Sequence, residues 1–153
     1  MEKATSARRT SQLDEIAEAL PARSAALSRE FLTRTTVCVS RTEAGVLGKL
    51  RDGPRRITEL AAEERVTQPA ITLLVNRLTE RGWVQRIPDP RDGRAVLVSL
   101  TPDGEDVFAR LRAEYRALLH EEMASLEDGE VETLATAVAI LDKLIDRLKE
   151  RPA

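Results

Sequence analysis

Six arginines, Arg65, Arg77, Arg81, Arg86, Arg91 and Arg94, crowd the stretch from 65 to 94, where Glu80, Asp89 and Asp92 oppose them, a local charge of +3. Gathered guanidinium groups suit phosphate, because each carries a permanent charge and a fork of donors. The rest of the chain is not basic: residues 102–153 hold 7 basic against 13 acidic side chains, and all 153 residues sum to a formal charge of −2. A basic segment on a net acidic body fits a phosphate-facing patch kept soluble by acidic surface elsewhere; the alternative is an arginine-rich helix face that meets only water. Other chemistries are poorly supplied. One cysteine, Cys38, cannot form an internal disulfide, and with one histidine, His120, a single subunit cannot build a zinc site or a shared acid-base system. Nucleophile and phosphate-loop signatures are missing, so neither an enzyme nor a bound metal or cofactor is expected.

The arginines need a scaffold, and a chain 42% hydrophobic and 33% charged can bury one core in a single domain. No run approaches about 18 consecutive apolar residues, and Met1 to Gln12 lacks the apolar stretch of a secretory signal. A cytoplasmic protein with no membrane partner is expected. From Ser11 to Arg34 the residues Leu13, Ile16, Ala17, Leu20, Leu27, Phe31 and Leu32 recur at helical spacing, with Pro21 predicted to kink or divide the helix. Ser40-Arg41-Thr42-Glu43 has capping-box spacing and opens a helix that stops at Asp52-Gly53-Pro54. Thr58 is placed to cap a short helix from Glu59 to Glu64. After the turn Arg65-Val66-Thr67, a helix opening at Gln68 buries Ile71, Leu74, Val75 and Leu78 and ends at Gly82. Two helices joined by such a turn form a helix-turn-helix.

Strands are predicted at Trp83 to Ile87 and Ala95 to Leu100, and the charged, turn-rich linker from Pro88 to Arg94 makes them a hairpin with a projecting tip, a wing. Thr101 is placed to cap a further helix, with Pro102 at its first position and an apolar stripe through Phe108, Leu111 and Tyr115, running to about Leu126. In the last helix, from about Gly129 to Arg147 or beyond, Val131, Leu134, Val138, Leu141, Ile145 and Leu148 alternate steps of three and four, the seam of a helix that packs along another. The first and last helices thus carry apolar faces beyond the winged core, and a homodimer made by the two ends covers them.

Ile57-Thr58-Glu59-Leu60-Ala61, Gln68-Pro69 ahead of Leu74-Val75-Asn76-Arg77-Leu78, and Arg81-Gly82-Trp83-Val84-Gln85-Arg86 are arranged like DNA-binding helices and a first wing strand. Asp92-Gly93-Arg94, a five-residue spacer, Leu100-Thr101 and Gly104 then follow as a wing pattern. On these residues the chain resembles the MarR family of bacterial winged helix-turn-helix transcription regulators over nearly its whole length. The resemblance implies a mainly α fold with a small β-hairpin wing, one MarR-type domain over 1–153. Residues 38–101 would be the winged DNA-binding core, and 11–37 and 102–153 the dimerisation helices. It also implies a homodimer on a pseudo-palindromic site in double-stranded DNA, the second helix of each motif in successive major grooves and each wing in the flanking minor groove.

Under that resemblance Thr67 and Gln68 stand at a helix N-terminus, whose orphan amides and positive dipole end favour phosphate. Gln68, Pro69, Thr72, Leu73 and Asn76 lie opposite the buried stripe, with Arg77 flanking. Gln68 and Asn76 could pair bidentately with adenine, Thr72 could touch a thymine methyl or phosphate, and Arg77 could reach phosphate or guanine. Ala70 and Leu73 depart from the larger or polar side chains of many relatives, so apolar contact is expected there. Arg94 is the expected minor-groove residue, aimed by a charge-assisted hydrogen bond from Asp92, unless the two merely brace a surface turn. Arg91 and Arg86 are expected at phosphates.

The expected function is a DNA-binding transcriptional regulator, and a repressor in particular, since a dimer on a promoter blocks polymerase by occupying it. The alternative is a winged-helix module for protein-protein contact without DNA binding, which would have no reason to gather Arg77, Arg91 and Arg94. The resemblance further implies release by a signal, often a small aromatic or lipophilic ligand or an oxidised cysteine, near the junction of the dimerisation helices and the winged core. Cys38 falls in such a junction, but its apolar neighbours and the lack of an adjacent cation predict an inert, buried thiol. His120 and Tyr115 are expected in the core or at the dimer surface.

Overall fold

In the computed structural model, residues 2–151 are described, with side chains from Arg8 to Arg151. By contact the chain divides at Tyr115 into two units, 1–115 and 116–153. The first opens with α1 (Glu2–Arg34), one continuous helix with Pro21 inside it. Proline removes a single amide from the ladder, and a run this long carries the helix across the loss.

The capping box at Ser40 is formed in both directions: the Ser40 amide donates to Glu43 Oε2 at 2.7 Å and the Glu43 amide donates to Ser40 Oγ at 3.2 Å. It starts α2 (Arg41–Arg51), which ends where Gly53 takes φ 132°, a backbone value that side chains disfavour. A short strand that the sequence did not signal, β1 (Arg55–Arg56), follows, and it moves the start of α3 (Ile57–Glu64). The cap of α3 is therefore Arg56 and not Thr58: β1 holds the chain extended through Arg56, whose amide donates to the Glu59 carboxylate at 2.7 Å. Arg65 closes α3 in the left-handed region at φ 54°, and α4 (Gln68–Glu80) ends ahead of Gly82 at φ 74°.

β2 (Val84–Asp89) and β3 (Asp92–Leu100) form the wing, and with β1 they make an antiparallel sheet in the order β1-β3-β2. Arg55 pairs with Val98, and Val84 with Leu100. The strands reach further into the linker than its turn residues suggest, pairing Asp89 with Asp92 and leaving Pro90 and Arg91 as the turn. Val96 is consequently exposed beyond the core, while Val98 and Leu100 are buried. The core joins Val46, Leu47 and Leu50 of α2, Leu60 of α3, Ile71, Leu74, Val75 and Leu78 of α4, and Val84, Val98 and Leu100 of the sheet.

Thr101 ties the wing's exit to the end of α4. Its amide donates to the Trp83 carbonyl at 3.1 Å, its hydroxyl donates to the Gly82 carbonyl at 2.5 Å, and its Oγ1 accepts from the Gly104 amide at 3.1 Å. α5 (Pro102–Met123) starts there and stops three residues short of the predicted Leu126. Within the first unit, the Phe31 and Tyr115 rings lie 5.1 Å apart, and Glu114 accepts from the Thr36 amide at 2.7 Å and from its hydroxyl. The second unit holds the end of α5, with His120 exposed, and α6 (Asp128–Glu150), which buries none of its residues. Among the described residues no helix is long and apolar enough to cross a membrane.

Candidate nucleic-acid interface

The buried stripe of α4 turns its opposite side to solvent: Thr67, Gln68, Pro69, Leu73, Asn76 and Arg77 are exposed and Thr72 is half-buried. Leu73 is 63% exposed at the middle of that side, an apolar contact surface rather than a core residue. Thr67 is the cap residue by its extended backbone, and its side chain makes no capping bond; the Ile71 amide donates to its carbonyl at 3.1 Å. The Thr72 hydroxyl donates to the Gln68 carbonyl at 2.9 Å, which leaves its methyl and oxygen lone pairs as its outward chemistry.

Two arginines of the basic segment are steadied by a carboxylate that the sequence offered only as a cap. Glu43, buried, has Oε1 3.9 Å from both Arg77 Nε and Arg81 Nη1, while Oε2 stays on the Ser40 amide. The start of α2 and the end of α4 thus share one charge. Arg86 on β2 reaches α4 instead, donating from Nη2 to Asn76 Oδ1 at 2.7 Å.

In the wing, sequence reasoning missed Asp89 and Arg56. Asp89 is 6% exposed; its Oδ2 accepts from Arg56 Nε at 3.1 Å and Nη2 at 2.6 Å, and its Oδ1 accepts from the Arg91 amide at 2.9 Å. The Arg91 amide, followed by the Arg56 guanidinium, holds this carboxyl below its ordinary range, and Asp89 in turn raises the pKa of Arg56. The only sequence signal for the pair was an Asp beside the hairpin turn and an Arg before α3, residues 33 apart.

Asp92 does not aim the Arg94 side chain as expected. Its Oδ1 accepts from the Arg94 backbone amide at 3.2 Å, a turn-type bond, and its Oδ2 lies 3.8 Å from Arg56 Nη2. Both wing carboxylates are therefore spent on Arg56 and backbone amides. Arg91 and Arg94 are exposed, and among the described residues neither guanidinium has an ion-pair partner.

The expectation for Cys38 also fails. The thiol-bearing residue is exposed, because it is Val37 beside it that turns inward, and a cation is adjacent: Arg81 Nη1 donates to the Cys38 carbonyl at 3.1 Å. Arg81 also lies over the Trp83 ring, 4.7 Å from its centroid. Together with Thr36, Val37 and Arg110 these residues line a cleft of about 330 Å³.

Residues 39–95 match the model of the MarR family, a span that contains α4 and the wing through Arg94. Over 87 residues the chain is 36% identical to an HTH-type transcriptional regulator of Mycobacterium bovis, covering 57% of this chain and 61% of that protein. The match thus spans about three-fifths of that curated relative's length. A probable transcriptional regulator of Pseudomonas aeruginosa superposes with a TM-score of 0.62 at 30% identity, over 84% of this chain and 97% of that one. The apo form of MarR from Escherichia coli superposes with a TM-score of 0.68 at 27% identity, over 84% and 96%.

Proposed function

Because this chain belongs to the MarR family, we propose that it is a DNA-binding transcriptional regulator acting as a homodimer, a repressor released by a small-molecule signal. One observation carries the reading: the wing's own carboxylates are turned to Arg56 and to backbone amides, so Arg91 and Arg94 leave the hairpin with their charge unneutralised. A narrow minor groove concentrates negative potential and accepts such a side chain. The exposed side of α4, with its N-terminal amides and its row of Gln68, Thr72, Leu73 and Asn76, suits the major groove beside it.

A second copy of the chain supplies what the apolar faces lack. Leu13, Ile16 and Leu27 on α1, and Val131, Leu134, Val138, Ile145 and Leu148 on α6, are each more than two-fifths exposed, and a solvated protein leaves such rows bare at a cost. The cleft beside Cys38, with the Trp83 ring and the cations Arg81 and Arg110, has the wall and charge for a small aromatic anion. Selection of random duplex DNA by the full chain is the test: an enriched inverted repeat is expected. Recovery of no sequence at moderate salt would reject the regulator in favour of a protein-contact module.

A further inference from the structure

The bond from Arg86 to Asn76 decides which base α4 can read. A guanidinium has donors and no acceptor, so the amide atom facing it has to be the oxygen, and at 2.7 Å from Arg86 Nη2 one of the two Asn76 Oδ1 lone pairs is taken and a cation stands against the other. Recognition of adenine by asparagine needs both ends of the amide at once, Oδ1 accepting from N6 and Nδ2 donating to N7. With Oδ1 held from the wing side, Asn76 offers Nδ2–H as its free donor, and beside it stand the remaining N–H groups of Arg86, which can only donate.

We propose that Arg86 clasps Asn76 so that donors and a positive charge dominate this part of the recognition surface, and that the protein selects there an acceptor-only base edge, guanine with its N7 and O6, over adenine. The inference rests on the regulator reading and goes beyond it by assigning a base preference and the residue that sets it. Arg86 is the positioning residue: it acts through Asn76, and the charge it brings further disfavours the N6 amino group of adenine. The donors come from one strand of the wing and one residue of α4, so the preference depends on the hairpin as well as on the helix.

Selected duplexes from the wild-type chain, Asn76→Ala, Asn76→Asp and Arg86→Met are compared, with binding of matched single-base duplexes at one salt concentration. The base pair read by residue 76 is the one whose preference Asn76→Ala erases. Guanine over adenine at that pair, by roughly 5- to 150-fold, is expected from the wild type. Arg86→Met keeps the aliphatic stem and frees Oδ1, so the preference should move to adenine; a phosphate contact or a packing role for Arg86 would instead lower affinity for all sequences alike. Asn76→Asp, which keeps the clasp and turns an acceptor outward, should move the preference toward cytosine. Adenine at that pair in the wild type, an unchanged preference in Arg86→Met, or no base preference lost in Asn76→Ala would each overturn the clasp while leaving the regulator intact. Failure to enrich any sequence would instead sink the regulator reading, and the clasp proposal with it.

Discussion

Arg56 and Asp89 close a fork beside the turn of the wing: both donors of the guanidinium edge, Nε at 3.1 Å and Nη2 at 2.6 Å, meet one carboxylate oxygen. The other oxygen holds the Arg91 amide, so one buried carboxylate fastens the hairpin to β1 and shapes its turn. A hairpin alone is a flexible ribbon, and this link gives the wing a direction.

Asp89→Asn removes the charge and leaves one acceptor oxygen where two served, so either the Arg56 fork or the Arg91 amide loses its partner. DNA affinity at fixed salt is expected to fall on the order of tenfold, with the helical core intact by circular dichroism. The same carboxylate gives acid sensitivity. Its pKa is depressed in the folded chain, as is that of Glu114, where first the Thr36 hydroxyl and then the Thr36 amide favour the charged form. Both contributions are complete above the ordinary carboxylate range and are lost as pH falls through the depressed folded values. Melting curves from neutral pH to about pH 2 should therefore decline less steeply for Asp89→Asn and for Glu114→Gln than for the wild type. Parallel curves would show that neither bond forms in solution.

Gly104 faces a different constraint. A Cβ there would lie 1.9 Å from the Trp83 carbonyl oxygen and 2.8 Å from its carbon, backbone atoms that cannot turn aside. The same carbonyl accepts from the Thr101 amide, so any shift costs that bond too. Gly104→Ala should destabilise by about 1–3 kcal/mol, the range for overpacking, lowering the melting temperature by several degrees. Gly129→Ala is the control, because nothing lies within 4 Å of its Cβ and alanine favours a helix; it should melt no lower than the wild type.

What was legible in the sequence was local or periodic. Ser40 and Glu43, three residues apart, and the Leu100-Thr101 to Gly104 run could be read because their bonding partners are close along the chain. The stripe of α4 could be read because 3.6-residue periodicity survives any tertiary context. β1 could not: two residues show no alternation, and their partners, Leu97 and Val98, lie some forty positions on. The partner of Asp89 was hidden for the same reason, and Glu43 gave no sign that its second oxygen would face Arg77 and Arg81. Cys38 was misplaced because an apolar neighbourhood was read as burial of every member, whereas Val37 is buried, Val39 packs against the core and Cys38 between them is exposed.

Arg94 separates electrostatics from folding. Exposed and without an ion-pair partner among the described residues, its side chain adds nothing to the native contacts, so Arg94→Ala should leave the melting temperature within about 1 °C of the wild type. DNA affinity should fall, and the slope of log affinity against log salt should shrink by roughly 0.9 for each subunit whose arginine is lost. Equal affinity and slope for variant and wild type at several salt concentrations would remove the wing tip from binding.

The apolar row of α6 lets the proposed homodimer be tested. Val131, Leu134, Val138, Ile145 and Leu148 are each between 44% and 62% exposed, so covering the rest of each contributes roughly 1 kcal/mol, and two copies contribute on the order of 10 kcal/mol. Association costs about 4–15 kcal/mol in lost freedom and ordering, a range that contains this gain, and in the proposed homodimer Leu13, Ile16 and Leu27 of α1, also exposed, would add to it. A charge in the row should therefore break the proposed homodimer without unfolding the subunit. Val138→Lys changes a residue already 57% exposed, so the winged core should keep its melting transition while sedimentation shifts from dimer to monomer. DNA affinity should fall with it, since each half-site then binds one wing and one α4 independently. A Val138→Lys chain that still sediments as a dimer at micromolar concentration would place the contact between copies elsewhere than along α6.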